Sequence, residues 1–245
     1  MKMRDQLATA HEMMTCLSDR FPVGSLEYRL SRFNAKERFA LIQRVLGVAI
    51  APHADFMTEV LAKCAITNRP ENVFCAMDFH LDWLYAALMN ESLVEDEPMP
   101  LVAGENDHFP VTGKQQDADF IMCFTENSGN GALPVTHLLL IEAKGVGSWD
   151  TLQIASKFNQ YRAMRPAFAR NPNVRTRLIL MSQKDPEENR TRQNSEFLAE
   201  LQGFRDFGVP VWVHLPMENT LSVVRCNADR TPNGKTPTHW KLESR

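Results

Sequence analysis

The sequence predicts an α/β chain: a helical stretch over residues 1–70, then a strand meander, a crossover helix and a further strand. Three observations predict it. Leu138 to Ile141 is an unbroken aliphatic run, the pattern of a strand buried on both faces, and it ends in Glu142-Ala143-Lys144. Upstream, Asp119 opens a second apolar run, Phe120 to Phe124, and Ser128-Gly129-Asn130-Gly131 supplies a turn between the two. Downstream, a helical pattern from about Asp150 to Ala169 leads to Arg175–Ser182, a strand placed to lie parallel to the Glu/Lys strand.

Taken in order, Met1 to Leu17 has the apolar spacing of a short amphipathic helix, ended by Phe21-Pro22-Val23-Gly24. Asn34, with Glu37 three positions on, has the form of a capping box for a helix through Val48. Pro52 introduces another, His53 to Ile66, with Phe56, Val60, Leu61 and Cys64 inward. This first region carries no catalytic constellation; packing, dimerisation and substrate reading are all open to it.

Ala76 to Leu88 then reads as a strong helix through Met77, Leu81, Leu84 and Leu88, which would set Asp78 and Asp82 one turn apart on one face. Like charges at that spacing repel mildly, which makes a nearby cation or base worth seeking. His80 falls off that face and reads as a packing or surface residue. Glu91 to Gly113, acidic and proline-bearing, reads as a loop or short edge strand. Beyond Ser182, Asn194 to Phe207 has the pattern of a last amphipathic helix, and Val211–Leu215, Leu221–Cys226 and His239–Leu242 read as strands.

Composition narrows the class. With 245 residues the chain is long enough for one sizeable core. Its N-terminus has His11, Glu12, Asp19 and Arg20 where a signal peptide needs an apolar run, and no stretch reaches membrane-spanning length. Five scattered cysteines, none in a Cys-x-x-Cys pair, read as reduced thiols rather than a zinc site or disulfide framework. A cytoplasmic protein is the expectation.

The chemistry centres on the end of the aliphatic strand. Side chains alternate along a strand, so Glu142 and Lys144 leave one face while Ile141 and Ala143 leave the other. Ionised groups in such a place need a partner or a metal, and a plain Glu/Lys ion pair would satisfy that need. The acidic residue of the neighbouring strand adds a second carboxylate. Bringing Asp119 to Glu142 calls for a skewed or bent hairpin.

This order of Asp, strand, turn, strand and Glu-x-Lys resembles the PD-(D/E)XK nuclease superfamily, whose restriction-endonuclease-like core runs helix, three strands, helix, strand. The motif order covers roughly Val73 to Ser182. With Asp78-Phe79-His80-Leu81-Asp82-Trp83 and Gln116-Asp117-Ala118-Asp119 added, the chain looks most like an uncharacterised bacterial family of nuclease-like proteins. The resemblance implies a nuclease-like domain over residues 71–245 behind the helical region 1–70. It implies catalytic roles for Asp119, Glu142 and Lys144, with Mg²⁺ or Mn²⁺ held by Asp119, Glu142, the Ala143 carbonyl and an acidic residue of the first core helix, Asp82 ahead of Asp78. Magnesium favours such a set, a few carboxylates completed by waters and substrate oxygens. The chain departs from the pattern in having Ala118, not proline, before Asp119, so Asp117 is a rival ligand.

Net charge is −3, yet from Thr151 to Lys184 there is no acidic residue and seven basic ones, a pattern that fits either phosphate-backbone contact or a solvated basic face. Gln153, Lys157 and Gln160 recur at helical spacing and can touch phosphates without reading sequence. Arg162 belongs to the same block, and Trp149 could stack on a base or anchor the strand-to-helix turn. The expected activity is therefore metal-dependent hydrolysis of nucleic acid, with DNA the expected substrate and a homodimer as one route to cutting both strands. The competing expectations are a catalytically silent scaffold of the same fold and a DNA-binding regulator.

Overall fold

In a computed structural model of the chain, the described residues are 21–33, 41–42, 51–90, 106, 110–114, 116–126, 133–145, 149, 151–186, 199, 207–216 and 221–244. They form an α/β structure around a mixed five-stranded sheet. Two helices precede it, α1 (Leu26–Ser31) and α2 (Ala54–Lys63). Strand β1 (Phe74–His80) and helix α3 (Leu81–Met89) follow, then β2 (Asp117–Glu126), β3 (Val135–Lys144), α4 (Thr151–Ala163), α5 (Arg165–Ala169), β4 (Val174–Ser182) and β5 (Val211–His214). The strands lie in sequence order. β1, β2 and β3 are antiparallel neighbours, and β3, β4 and β5 are parallel. A separate antiparallel pair, β6 (Leu221–Cys226) and β7 (His239–Ser244), closes the chain.

The aliphatic run behaves as its composition predicts. Leu138, Leu139, Leu140 and Ile141 are all fully or almost fully buried, because β3 has a strand on each side and a core layer on each face. Leu138 and Leu140 join the layer made by Leu26 and Leu30 of α1, Leu84 and Leu88 of α3 and Phe158 and Tyr161 of α4. Leu139 and Ile141 join the opposite layer, with Met57, Val60 and Leu61 of α2. The described helices of the first 70 residues thus pack against the sheet, one on each face.

Three expectations change. Ala76 to His80 is strand, not helix; the helix begins at Leu81, with the His80 ring nitrogen accepting the Asp82 N–H at 3.2 Å as its cap. Phe74 and Ala76 bury on one face and Cys75 on the other, which a ladder with β2 satisfies and a one-sided helix would not. The helix after Glu142-Ala143-Lys144 stops at Ala163, and Pro166 sits in the first turn of α5, since a proline has no N–H for the preceding turn. The helix expected to open the core ahead of the meander is instead set between its first two strands, as α3 between β1 and β2, and most of Glu91–Gly113 lies outside the described residues. The helices expected at Met1–Leu17, Asn34–Val48 and Asn194–Phe207, and the Ser128–Gly131 turn, lie wholly or largely outside the described residues.

Among the described residues no helix is long and apolar enough to cross a membrane. Cys64, Cys75, Cys123 and Cys226 are free and buried.

Candidate active site

The site is built where β2 and β3 stop pairing. Their ladder runs from Glu126 opposite Val135 to Phe120 opposite Ile141. One step further the same register sets Asp119 opposite Glu142, so an ordinary antiparallel hairpin brings the two carboxylates together and the skew expected from the sequence is not needed. In place of the next backbone bond, the Ala143 N–H donates to Asp119 Oδ2 at 2.8 Å. On the other side of β2, the β1 ladder skips Asp78, whose φ of +48° is left-handed. That residue reverses the alternation. Ala76 and Phe79, three apart, enter the same core layer, as do their partners Ile121 and Ala118.

Glu142 leaves β3 on the α4 side and is 3% exposed. Its Oε1 accepts the Tyr161 hydroxyl at 3.3 Å, and its Oε2 accepts the Lys157 ammonium in a short contact. Lys157 also reaches Asp119 Oδ1 at 3.3 Å, so one ammonium is shared by both carboxylates. Lys157 and Tyr161 are one helical turn apart, which brings ammonium and phenol to the same carboxylate.

Burial pushes the Glu142 carboxyl up to about 7, assisted by the Asp119 charge and opposed by Lys157. The Lys157 ammonium loses some preference for charge on burial, but Glu142 and Asp119 more than offset this and hold it above its ordinary value. Burial, reinforced by Glu142, drives the Tyr161 hydroxyl well above its usual range, so it remains a donor.

The other expected site residues separate from this cluster. Asp82 accepts the Thr112 and Gly113 N–H groups at 3.0 and 2.8 Å and the Gln160 amide at 2.8 Å, and Gln160 also donates to the Pro110 carbonyl at 3.3 Å. The carboxylate expected as a metal ligand instead pins the 110–113 segment onto α3 and α4. No group of three or more His, Cys, Asp or Glu side chains placed to hold a metal occurs among the described residues. Asp78 lies on β1, so the expected helical Asp78/Asp82 pair does not exist.

Lys157, expected to meet phosphate, is 18% exposed and engaged by the two carboxylates. Trp149 is 5% exposed in the core layer of α3 and α4, the place of a packing anchor rather than a stacking platform. Arg162 donates to Asn159 at 2.9 Å on the surface of α4. Gln153 lies on α4, with its side chain outside the described residues. Lys144 ends β3, half-buried, beside Ser182 of β4, and strand alternation puts it on the Glu142 side.

The basic block is divided too. Arg162, Arg165 and Arg170 follow α4 and α5, whereas Arg177 of β4 influences Cys64 in the opposite core layer. Tyr161 was missed in the sequence, although its spacing from Lys157 was a usable signal. The pairing of Gln160 with Asp82 had none, because the partners are 78 positions apart.

No family model, curated protein or solved structure matches this chain.

Proposed function

We propose that the chain is a metal-dependent nuclease of the PD-(D/E)XK type, hydrolysing phosphodiester bonds in nucleic acid, with DNA as the first substrate to test. The observation that carries this reading is the convergence of Asp119 and Glu142 on one cation, Lys157, at the open end of two strands. The element order supports it: a helix, an antiparallel three-strand meander interrupted by α3, a crossover helix and a parallel strand agree with the superfamily core in order.

The donor set fits a magnesium-like ion, which commonly takes one or two carboxylates and leaves its remaining positions to water and phosphate oxygens. Asp119 and Glu142 would hold it, with the Ala143 carbonyl as a further hard donor. Such an ion would polarise the phosphoryl group and lower the pKa of a water. This chain's own contribution is then positional. The Ala143 N–H fixes the Asp119 carboxylate, Tyr161 fixes Glu142, and Lys144 brings a positive charge to the same end of β3 for the charge that develops on phosphate. Lys157, displaced from between the carboxylates, would be released toward the phosphate backbone.

One observation favours a second reading. The ammonium of Lys157 already neutralises the two carboxylates, as a scaffold that had lost its chemistry would require. Incubation of the full chain with plasmid and single-stranded DNA in Mg²⁺, Mn²⁺ or EDTA, beside Glu142→Ala and Lys144→Ala, separates the two. Metal-dependent cleavage lost in both variants supports the nuclease. Binding without cleavage in either metal supports the silent fold.

A further inference from the structure

The opposite end of the same two strands holds a second polar arrangement, unrelated to the nuclease reading. Asp119 and Thr125 are six residues apart on β2, which at about 3.3 Å per residue separates the two ends by roughly 20 Å. There α1 lays Glu27 across the sheet with only 4% of its surface exposed. Its Oε1 accepts the Thr125 hydroxyl at 2.6 Å, and Thr125 meets the Thr136 hydroxyl at 3.0 Å across the β2/β3 pair.

A hydroxyl has one proton. Thr125 gives its own to Glu27, so Thr136 must donate to Thr125, and neither can serve the second carboxylate oxygen. Among the described residues Glu27 Oε2 is buried and has no hydrogen-bond partner. Leaving a buried charged acceptor unmade is costly, on the order of 1–3 kcal/mol or more, and calls for a donor from outside the chain.

Glu27, Thr125 and Thr136 line a cleft of about 640 Å³, large enough for a small molecule. Its charged walls are three glutamates, Glu27, Glu71 and Glu126, against one arginine, Arg69. Glu126 is already satisfied by Thr67, the Asn68 N–H and His137, which leaves Glu27 Oε2, buried behind the cleft wall, as the carboxylate oxygen without a partner. Pro22, Pro70 and Pro134 give the same cleft apolar wall. We propose that this cleft is a binding site for a small aliphatic primary-amine cation, its ammonium donating to Glu27 Oε2 once a turn of that side chain brings the buried oxygen to the cleft, and its hydrocarbon body lying along the prolines. An anion would meet an excess of carboxylate, and a neutral polyol would leave the buried charge uncompensated.

The test is titration calorimetry of the full chain at physiological salt with 1,4-diaminobutane, using 1,4-butanediol as the uncharged control of the same length. Saturable binding of the diamine and none of the diol is expected, weakened about tenfold or more by Glu27→Gln, a loss of about 1.4 kcal/mol. Glu71→Lys, an exposed change that leaves the Glu27 network intact, is expected to weaken it as well and decides the matter if Glu27→Gln does not fold. Asp119→Ala, at the other end of the sheet, should bind the diamine as wild type does, so failure of the nuclease reading leaves this result standing. Absence of diamine binding, equal binding of the diol, or undiminished affinity in the folded variants would overturn the proposal and leave water as the occupant of the cleft.

Discussion

The Ala143 N–H donates to Asp119 Oδ2 at the point where the β2/β3 ladder ends, while Asp119 Oδ1 is turned to Lys157. One carboxylate therefore does two jobs, substituting for a strand partner with one oxygen and offering charge with the other. Asp119→Asn keeps an acceptor for Ala143 and loses the charge; Asp119→Ala loses both. Urea unfolding should find Asn close to wild type and Ala less stable than Asn by about 0.5–1.5 kcal/mol. In the cleavage assay both should fall by roughly a hundredfold or more, since the charge is what each removes. Full activity in Asp119→Asn would exclude Asp119 as a ligand.

Lys157 neutralises a carboxylate that is almost fully buried, so truncating it exposes the cost of that burial. Measured above pH 7, where Glu142 is ionised in the wild type, Lys157→Met should lose up to about 3–5 kcal/mol of stability, the usual consequence of leaving a buried charge without its partner. The loss should be less at lower pH, where the carboxyl takes up a proton. A divalent cation offers a replacement for the ammonium. Added Mn²⁺ should therefore raise the unfolding midpoint of Lys157→Met more than that of wild type, where the ammonium must first be displaced. No shift in either protein would argue that the two carboxylates are a closed structural triad with the lysine.

Asp82 has a latch role with a different signature from that of a ligand. Asp82→Ala would strip the acceptor from the Thr112 and Gly113 N–H groups and from the Gln160 amide. A stability loss of about 1–3 kcal/mol is expected. Amide exchange at residues 112 and 113 should accelerate, and metal-dependent cleavage should stay within about tenfold of wild type. A loss of cleavage as deep as that of Asp119→Ala would return Asp82 to the metal site.

The sequence announced β3 clearly because Leu138 to Ile141 leaves no polar face for a helix or surface strand to present. It announced Glu142 because a carboxylate interrupts that run. β1 was hidden by coincidence: Met77, Leu81, Leu84 and Leu88 have helical spacing, but Met77 precedes a left-handed Asp78 and only the last three share a helix. What the sequence could not convey was partnership. Lys157 has the composition of a phosphate contact and the position of an internal counterion, and only the packing of α4 over the end of β3 distinguishes the two. Asp82 illustrates the converse, since a carboxylate with the spacing of a ligand is consumed by two backbone amides 30 and 31 positions downstream.

Glu142 carries a pH dependence opposite to that of a typical paired carboxylate. Burial raises it from 4.5 to about 7, so between these values the folded chain holds the proton more tightly than the unfolded chain does. Stability from this residue is therefore greatest at or below pH 4.5 and is lost as the pH rises through about 7, by a total on the order of 3 kcal/mol. Glu126 and His137 work the other way. Both titrate lower than usual: for Glu126 burial is the largest single influence and acts upward, but the hydrogen bonds from His137, Asn68 and Thr67 together outweigh it, and for His137 burial itself lowers the value. Each favours the fold as pH rises, Glu126 through the acid range and His137 up to about 6.5. Urea midpoints of wild type alone would mix these effects. The difference between wild type and Glu142→Gln, followed from pH 4.5 to 8, should isolate the Glu142 contribution, with wild type losing ground to the variant until about pH 7 and running parallel above it. A difference that does not change with pH would mean that Lys157 keeps Glu142 ionised throughout, and the site would then hold a permanent ion pair rather than a carboxyl poised near neutrality.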